Sequence, residues 1–307
     1  MNSITFSQTV EGYLLAAHAR RLSPHTIRDY LTTYKKFSRF LDDDLPIGAI
    51  SVEQVEKFLA SQPVSKKTIL NYHIGLSALW TYAVEEDLVD EHIIQKVKRI
   101  KPEKKGIKPY TEEDIKAMLN ALTQTLVYSR PGKRDSYHSL PHAERNRAII
   151  YLLLDTGVRA SELVNLLIHQ VDLRNQRIYV MGKGSKERTI PFSARTGQVL
   201  WKYLAKRKDD ESGDYLFSNK EGRPLTRTRL LRILITIGRR AGVVNVTVHR
   251  FRHTFAVNLL RNGGDAYSLQ MMLGHSTMEM VKNYLALAQA DLEKNHKIAS
   301  PVDNWRL

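Results

Sequence analysis

The chain has 307 residues, no cysteine and a formal net charge of +15. Its length exceeds the usual reach of one hydrophobic core, so two domains are expected. The missing cysteines exclude a disulfide framework, a thiol nucleophile and any thiolate-held metal. The sequence contains no run of about 18 apolar residues and no early apolar stretch with a small-residue cleavage site, so a soluble, cytoplasmic protein without a membrane partner is expected. Residues 1–100 carry 12 Lys and Arg against 12 Asp and Glu, which puts the whole basic excess beyond residue 100. A polyanion partner follows, because neutralising phosphates releases condensed counterions. An anionic membrane is the rival, but the cations are spread over turns, strands and helices rather than along one amphipathic helix.

In chain order, residues 1–100 read as all-helical. SPHTIRDYLTTYKKFSRFL offers Ser23 as cap and Pro24 at the first helical position, with Ile27, Leu31, Tyr34, Phe37 and Leu41 at helical spacing. SVEQVEKFLA begins with a second cap, Ser51, and the helix after Ser65 puts Ile69, Tyr72, Leu76, Leu79, Trp80 and Ala83 on one face. Lys66 and Lys67 fall in its first turn, where cations oppose the helix dipole and an external anion would relieve them. KPEKKGIKP, residues 101–109, has two prolines, a glycine and four lysines with almost nothing to bury, and reads as a basic linker. The domains are therefore 1–100, the linker 101–109, and 110–307.

Thr111 caps TEEDIKAMLNAL, and the basic stretch 128–143 reads as a long surface loop. AERNRAIIYLLLDTGVRASELVNLLIHQV reads as two buried helices separated by the turn at Asp155, Thr156 and Gly157. RIYVMGKGSKERTIPFS alternates on both sides of Gly182-Lys183-Gly184-Ser185, which signals a β-hairpin. The rest is helical, and in its last helix Met280, Val281 and Leu285 are expected to pack. The fold class is mainly α with a small β-sheet.

Four short motifs carry chemistry, each weak alone. Arg159 opens a helix with Glu162 three residues on, so both face one side, where a plain internal ion pair is the simpler reading. Lys183 and Lys186 sit at the hairpin tip, and their order with the glycines does not make a Walker-type phosphate loop. In HRFRHTFA, His249, Arg252 and His253 share a helical face. A zinc site there is disfavoured, because Arg250 stands where a metallopeptidase helix has glutamate and the arginines would repel a dication. An anion between His249 and Arg252 suits the guanidinium better. The last motif, LGHSTMEMVKNYLAL, places His275 in a turn and Tyr284 on the following helix.

Together Arg159, Lys183, His249, Arg252, His275 and Tyr284 supply the roles of a metal-free phosphodiester transesterification. Guanidiniums can stabilise a pentacoordinate transition state, a lysine can protonate the leaving 5′ oxygen, and histidines can take the phenol proton. A phenol with a pKa near ~10 needs such help at neutral pH.

TGVRASEL, MGKGSKERTIP, HRFRHTFA and LGHS followed by Tyr284 resemble the successive active-site boxes of the tyrosine recombinase family, in its Xer-type and mobile-element integrase form. The likeness spans most of residues 110–290, and residues 1–100 resemble the family's helical, SAM-like core-binding domain more loosely. What it implies is a two-domain DNA clamp, with Arg159 and Arg252 as catalytic arginines, Glu162 as support and Lys183 as the hairpin lysine. Lys186 is the neighbouring alternative and, with Lys66 and Lys67, a DNA contact. His249 and Arg252 match the HxxR box, His275 the histidine-or-tryptophan position, and Tyr284 the nucleophile.

The resemblance further implies a 3′-phosphotyrosyl link, a Holliday junction and a homotetramer on two double-stranded DNA sites. The tail after Tyr284, with Leu285, Leu287, Leu292 and Ile298, would dock into a neighbour. It leaves room for an accessory or partner recombinase and implies no metal and no cofactor, since the covalent intermediate keeps the ester bond energy. Action in the cytoplasm at the nucleoid would follow. A type IB topoisomerase and a catalytically silent DNA-binding clamp are the alternatives. The sequence departs from the family's shortest members in the basic 128–143 segment, and it shows no additional arm-binding domain.

Overall fold

Among the described residues of the first unit, 1–105, there are four α-helices, and each starts where a hydroxyl accepts a hydrogen bond from an otherwise orphaned amide. They are α1 (Phe6–Ala19), α2 (Pro24–Leu41), α3 (Val52–Ser61) and α4 (Lys66–Glu85), capped by Thr5, Ser23, Ser51 and Ser65. In this computed structural model the described residues are 4–103, 106, 108–122, 142–182, 187–207, 214–219, 222–275, 277–300, 302 and 305, without the side chains of 289–295 and 297–299. The expected apolar stripes converge: Ile27, Tyr34 and Phe37 of α2 meet Tyr72, Leu76, Leu79, Trp80 and Ala83 of α4, while Leu31, Leu41 and Ile69 flank the core half-buried. Helix α1, which the sequence reading did not delimit, starts with a capping box between Thr5 and Gln8 and inserts Phe6 against Phe37 at 5.4 Å, edge to face.

The second unit comprises residues 106–307. Its helices are α5 (Glu112–Asn120), α6 (Ala143–Thr156), α7 (Ala160–Val164), α8 (Ala194–Ala205), α9 (Arg227–Arg240), α10 (Val248–Arg261), α11 (Ala266–Leu273) and α12 (Glu279–Ala299). The strands β1 (Val171–Asp172), β2 (Arg177–Met181) and β3 (Glu187–Pro191) form an antiparallel sheet in sequence order, with Ile178 opposite Ile190. Its core joins Ile149, Leu152 and Leu153 of α6 to Ile178 and Ile190 of the sheet and to Leu200, Leu230 and Phe251.

Three expectations are corrected or lie outside the described residues. The helix expected to run from Arg159 to Val171 stops at Val164. There the chain turns into a short extended stretch, with Leu216 donating to Leu166 O at 2.7 Å and Ile168 donating to Asp214 O at 2.8 Å. Met280 does not pack: it is 47% exposed, whereas Val281 is fully buried and Leu285 half-buried. The stretch 128–143 lies outside the described residues up to Pro141, as do Lys104, Lys105 and Ile107 of the linker. No helix among the described residues is long and apolar enough to cross a membrane.

Candidate active site

Two left-handed glycines bring the motifs together. Helix α6 ends at Gly157, φ +60°, where an added Cβ would lie 2.5 Å from Phe255 Cδ1, so the turn demands glycine both for its backbone and for its space. The reversal lets Arg159 leave in extended conformation as the N-cap of α7. The second, Gly274 at φ +62°, ends α11 and rests against the Arg188 guanidinium, 3.1 Å from where its Cβ would be. It delivers His275, whose amide donates back to Gln270 O at 3.1 Å.

Glu162 is the hub of the charges. Its carboxylate, 5% exposed, accepts from the Arg159 amide at 2.8 Å, from Arg159 Nη1 at 2.8 Å, and from Arg188 Nη1 and Nη2 at 2.9 and 2.8 Å. Burial pushes this carboxyl up, but the bonds from Arg188 and Arg159 outweigh it and hold the pKa below the ordinary range. Arg188 Nε also donates to Met272 O at 2.9 Å, tying β3 to α11.

Arg252, 4% exposed on α10, donates through Nη1 to Gly157 O at 2.8 Å. Its Nη2 donates to Leu273 O at 2.7 Å and meets His275 Nε2 at 2.9 Å. Burial, then the neighbouring Arg159, bring its pKa down to about 10, so it stays a cation at neutral pH. A guanidinium has five N–H groups and no acceptor. Two side-chain bonds from Arg159 and three from Arg252 therefore leave three and two N–H groups respectively without an acceptor among the described residues.

The same rule fixes the histidine. Because Arg252 can only donate, His275 Nε2 accepts, and the ring is neutral with its proton on Nδ1. That Nδ1 is buried and has no partner among the described residues. Burial first, then Arg252, Arg159 and Arg188, push the His275 pKa down to about 4.

Tyr284 is 5% exposed and belongs to the apolar cluster with Phe255, Leu269, Leu273 and Val281. Its hydroxyl lies 2.8 Å from His253 Nδ1, and its ring runs parallel to His275 at 6.4 Å and 11°. Burial raises the phenol pKa and Arg252 counters it. His253 itself has a lowered pKa, from burial first and then from His249 and Arg252. His249 is exposed on the same face, its ring 6.3 Å from that of His253.

Arg159, Glu162, Arg252, His275 and Tyr284 thus come together in one place. Of the pair expected to share an anion, Arg252 donates inward to two carbonyls and meets His275, with two N–H groups left over, while His249 lies exposed at the surface. Lys183 and Lys186 lie outside the described residues, between the ends of β2 and β3 at Met181 and Glu187. Lys66 and Lys67 are exposed at the start of α4, with Lys66 Nζ 2.6 Å from Glu103, so one of the two already has an anionic neighbour. A recess of about 740 Å³ opens elsewhere in this unit, lined by Tyr110, Ile115, Leu154 and Phe255, and includes none of the six residues singled out for catalysis.

Two residues of the site escaped the sequence reading. The sequence did not single out Arg188; in the sheet it stands opposite the buried Val180 and so faces inward. His253 was visible at i+4 from His249 and on the face of Arg252, yet spacing could not say that it reaches Tyr284.

The phage integrase family profile matches residues 108–291, and the phage integrase SAM-like domain profile matches residues 6–100. The chain belongs to the phage integrase family. It is 30% identical over 289 residues to tyrosine recombinase XerC of Staphylococcus aureus, covering 92% of each chain. Against tyrosine recombinase XerC of Staphylococcus saprophyticus it is 28% identical over 292 residues, covering 92% of this chain and 93% of that one. Among solved structures it is similar to XerH site-specific recombinase bound to palindromic difH substrate in a post-cleavage complex. The TM-score there is 0.72, with 23% identity and coverage of 95% of this chain and 84% of that chain. A lambda integrase dimer bound to a COC′ core site gives a TM-score of 0.72 at 17% identity, covering 92% and 77%. At such identities the solved structures establish the fold. The family relationship establishes the activity class, and this phage integrase family member is a tyrosine-type site-specific recombinase.

Proposed function

We propose that Tyr284 is the nucleophile of a DNA strand exchange in which each step exchanges one phosphoester for another. The Tyr284 oxygen bonds to phosphorus, the bond to the 5′ oxygen breaks, and the proton lost by the phenol is balanced by one gained by the departing 5′ hydroxyl. A 5′ hydroxyl from a partner strand then reverses the step, so two rounds pass through a Holliday junction. The ester bond is conserved throughout, and the steps balance without an outside energy source. The observation that carries this reading is the phenol held 2.8 Å from an imidazole nitrogen beside two arginines that retain unused N–H groups.

In this reading Arg159 and Arg252 hold the non-bridging oxygens, and a single donor of that kind is worth roughly 3 kcal/mol in the transition state. The His275 Nδ1 proton is a further donor, Glu162 fixes Arg159, and Lys183 delivers the proton to the 5′ oxygen. His253 Nδ1 receives the phenol proton, with His249 behind it. Residues 1–100 are read as the core-binding domain, 101–109 as the linker and 110–307 as the catalytic domain with a tail that docks into a neighbour. The substrate is a double-stranded DNA recombination site gripped by a two-domain clamp. Four protomers act on two such sites in the cytoplasm at the nucleoid, with or without a partner recombinase. Lys66, Lys67 and Lys186 are phosphate contacts in this arrangement.

The test is a nicked suicide substrate made from DNA flanking the gene. Tyr284→Phe should abolish the covalent adduct and leave DNA binding nearly intact, and an adduct that persists removes Tyr284 from the mechanism. His253→Gln should slow cleavage by about 10²-fold or more, the range for losing a general base. It should also erase the acid limb of the pH–rate profile. If His249→Gln erases that limb instead, the base is His249.

A further inference from the structure

The Arg159 side chain has two acceptors, Glu162 Oε1 at 2.8 Å from Nη1 and Gly274 O at 3.1 Å from Nη2. Arg188, the second residue of β3, lies against both Glu162 and Gly274, and the strand-exchange reading leaves it without a task. We propose that Arg188 is a positioning residue for the reaction. By occupying Glu162 and bracing the Gly274 turn, it limits Arg159 to one side-chain N–H on each acceptor and keeps the rest of that guanidinium turned to the scissile phosphate. This role presupposes the reading above, in which Arg159 grips a non-bridging oxygen of the DNA.

A carboxylate offers about four lone-pair positions. At Glu162 Oε1 accepts from Arg159 Nη1 at 2.8 Å and from Arg188 Nη1 at 2.9 Å, while Oε2 accepts from the Arg159 amide and from Arg188 Nη2, both at 2.8 Å. Every position is taken. Arg188 has the two-pronged grip and leaves the Arg159 side chain a single prong. The exposures fit this division, since the Arg188 side chain is 13% exposed and that of Arg159 32%. Without Arg188, two positions on the carboxylate fall vacant, and Arg159 can close onto it in the fork-to-fork geometry that guanidinium and carboxylate favour. Two guanidiniums sharing one carboxylate keep a positive charge in excess, whereas a closed pair of Arg159 with Glu162 offers a phosphate none.

The same side chain fixes the other acceptor. Arg188 Nε donates to Met272 O at 2.9 Å, and its guanidinium carbon lies 3.1 Å from where a Cβ of Gly274 would stand. The turn that offers Gly274 O to Arg159 and delivers His275 is thereby bonded and packed against β3. A lysine cannot take over, because a single ammonium has no fork for a carboxylate and no second nitrogen for the Met272 carbonyl.

Full-length protein and its Arg188→Lys and Arg188→Gln variants are compared in single-turnover strand scission at saturating protein, with DNA affinity measured beside it. Scission is read from the released strand, so the result does not depend on which residue is the nucleophile. Arg188→Lys should slow scission about 10²-fold, as for loss of one transition-state donor, while the Kd for DNA moves less than about twofold. Arg188→Gln should be at least as slow. Variants that cleave like the original overturn the role, and so does a loss carried by Kd. The deciding comparison repeats Arg188→Lys in Arg159→Lys protein, on a substrate whose bridging 5′ oxygen is sulfur, a better leaving group that keeps slow variants measurable. There the second substitution should cost less than about threefold, because residues that act through one another are not additive. A loss as large as in the original background overturns the role, since a general structural defect slows both backgrounds alike. Arg159→Lys protein that cleaves like the original shows instead that the underlying reading of Arg159 has failed, and the role of Arg188 falls with it.

Discussion

In the first unit the interior is aromatic: Phe6, Phe37, Phe58 and Trp80 meet at 5.0 to 6.4 Å between ring centres. Its buried polar side chains among the described residues, Thr9, Thr33 and His73, are bonded to backbone carbonyls at 2.9, 3.2 and 3.0 Å. The second unit, by contrast, buries Arg145, Glu162 and Arg252. Apolar burial stabilises wherever it occurs, but a buried ion recovers its desolvation cost only with close partners. The second unit holds these charges with a carboxylate hub and backbone carbonyls. Among the described residues of the first unit, no Asp, Glu, Lys or Arg is buried.

Phe37→Ala should produce the largest loss in the aromatic interior, about 3–5 kcal/mol for a fully buried ring. Chemical denaturation checks it, and the pH dependence of stability should stay as it was. Glu162→Gln leaves Arg188 and Arg159 facing a neutral amide. A loss of about 3–5 kcal/mol is expected, together with loss of the covalent adduct on the suicide substrate. A stable, active Glu162→Gln protein would break the contrast drawn between the units.

Acid sensitivity should belong to the second unit's site, and the signs can be worked out. The His275 pKa is depressed to about 4, so between the ordinary histidine pKa near ~6.5 and that value only the unfolded chain takes up the proton. Stability consequently falls as pH drops through that window. Glu162, with its pKa lowered, adds a second loss once pH falls below the ordinary carboxylate range. His275→Gln should flatten the upper part of this profile in thermal unfolding measured between neutral and acid pH. The smallest effect is expected from Tyr34→Phe, which removes the bond to Gly75 O at 3.0 Å and costs about 1 kcal/mol in equilibrium unfolding.

Much of this was legible in the sequence. The caps at Ser23, Ser51 and Ser65 and the spacing of Tyr34, Phe37, Leu76 and Trp80 specified the helices and their buried faces, because hydroxyl capping and helical periodicity are local rules. The motifs around Arg159, Arg252, His275 and Tyr284 named residues that do converge. Where the reading failed, at Val164 and Met280, the deciding contacts come from distant chain: the pairing of Leu166 with Leu216, and the packing that chose Val281 over its neighbour.

The sequence by itself determined the helical character of the chain, its +15 charge, the hairpin flanked by Met181 and Glu187, and the set of groups able to do phosphoryl chemistry. Tertiary structure alone decided that Arg188 shares Glu162 with Arg159, that His253 and not His249 meets the Tyr284 hydroxyl, and that Arg252 makes His275 a neutral acceptor. The reason is physical. Capping and periodicity act over a turn or two of chain, whereas a hydrogen bond's partner and a histidine's tautomer depend on which distant side chains the packed core brings within about 3 Å.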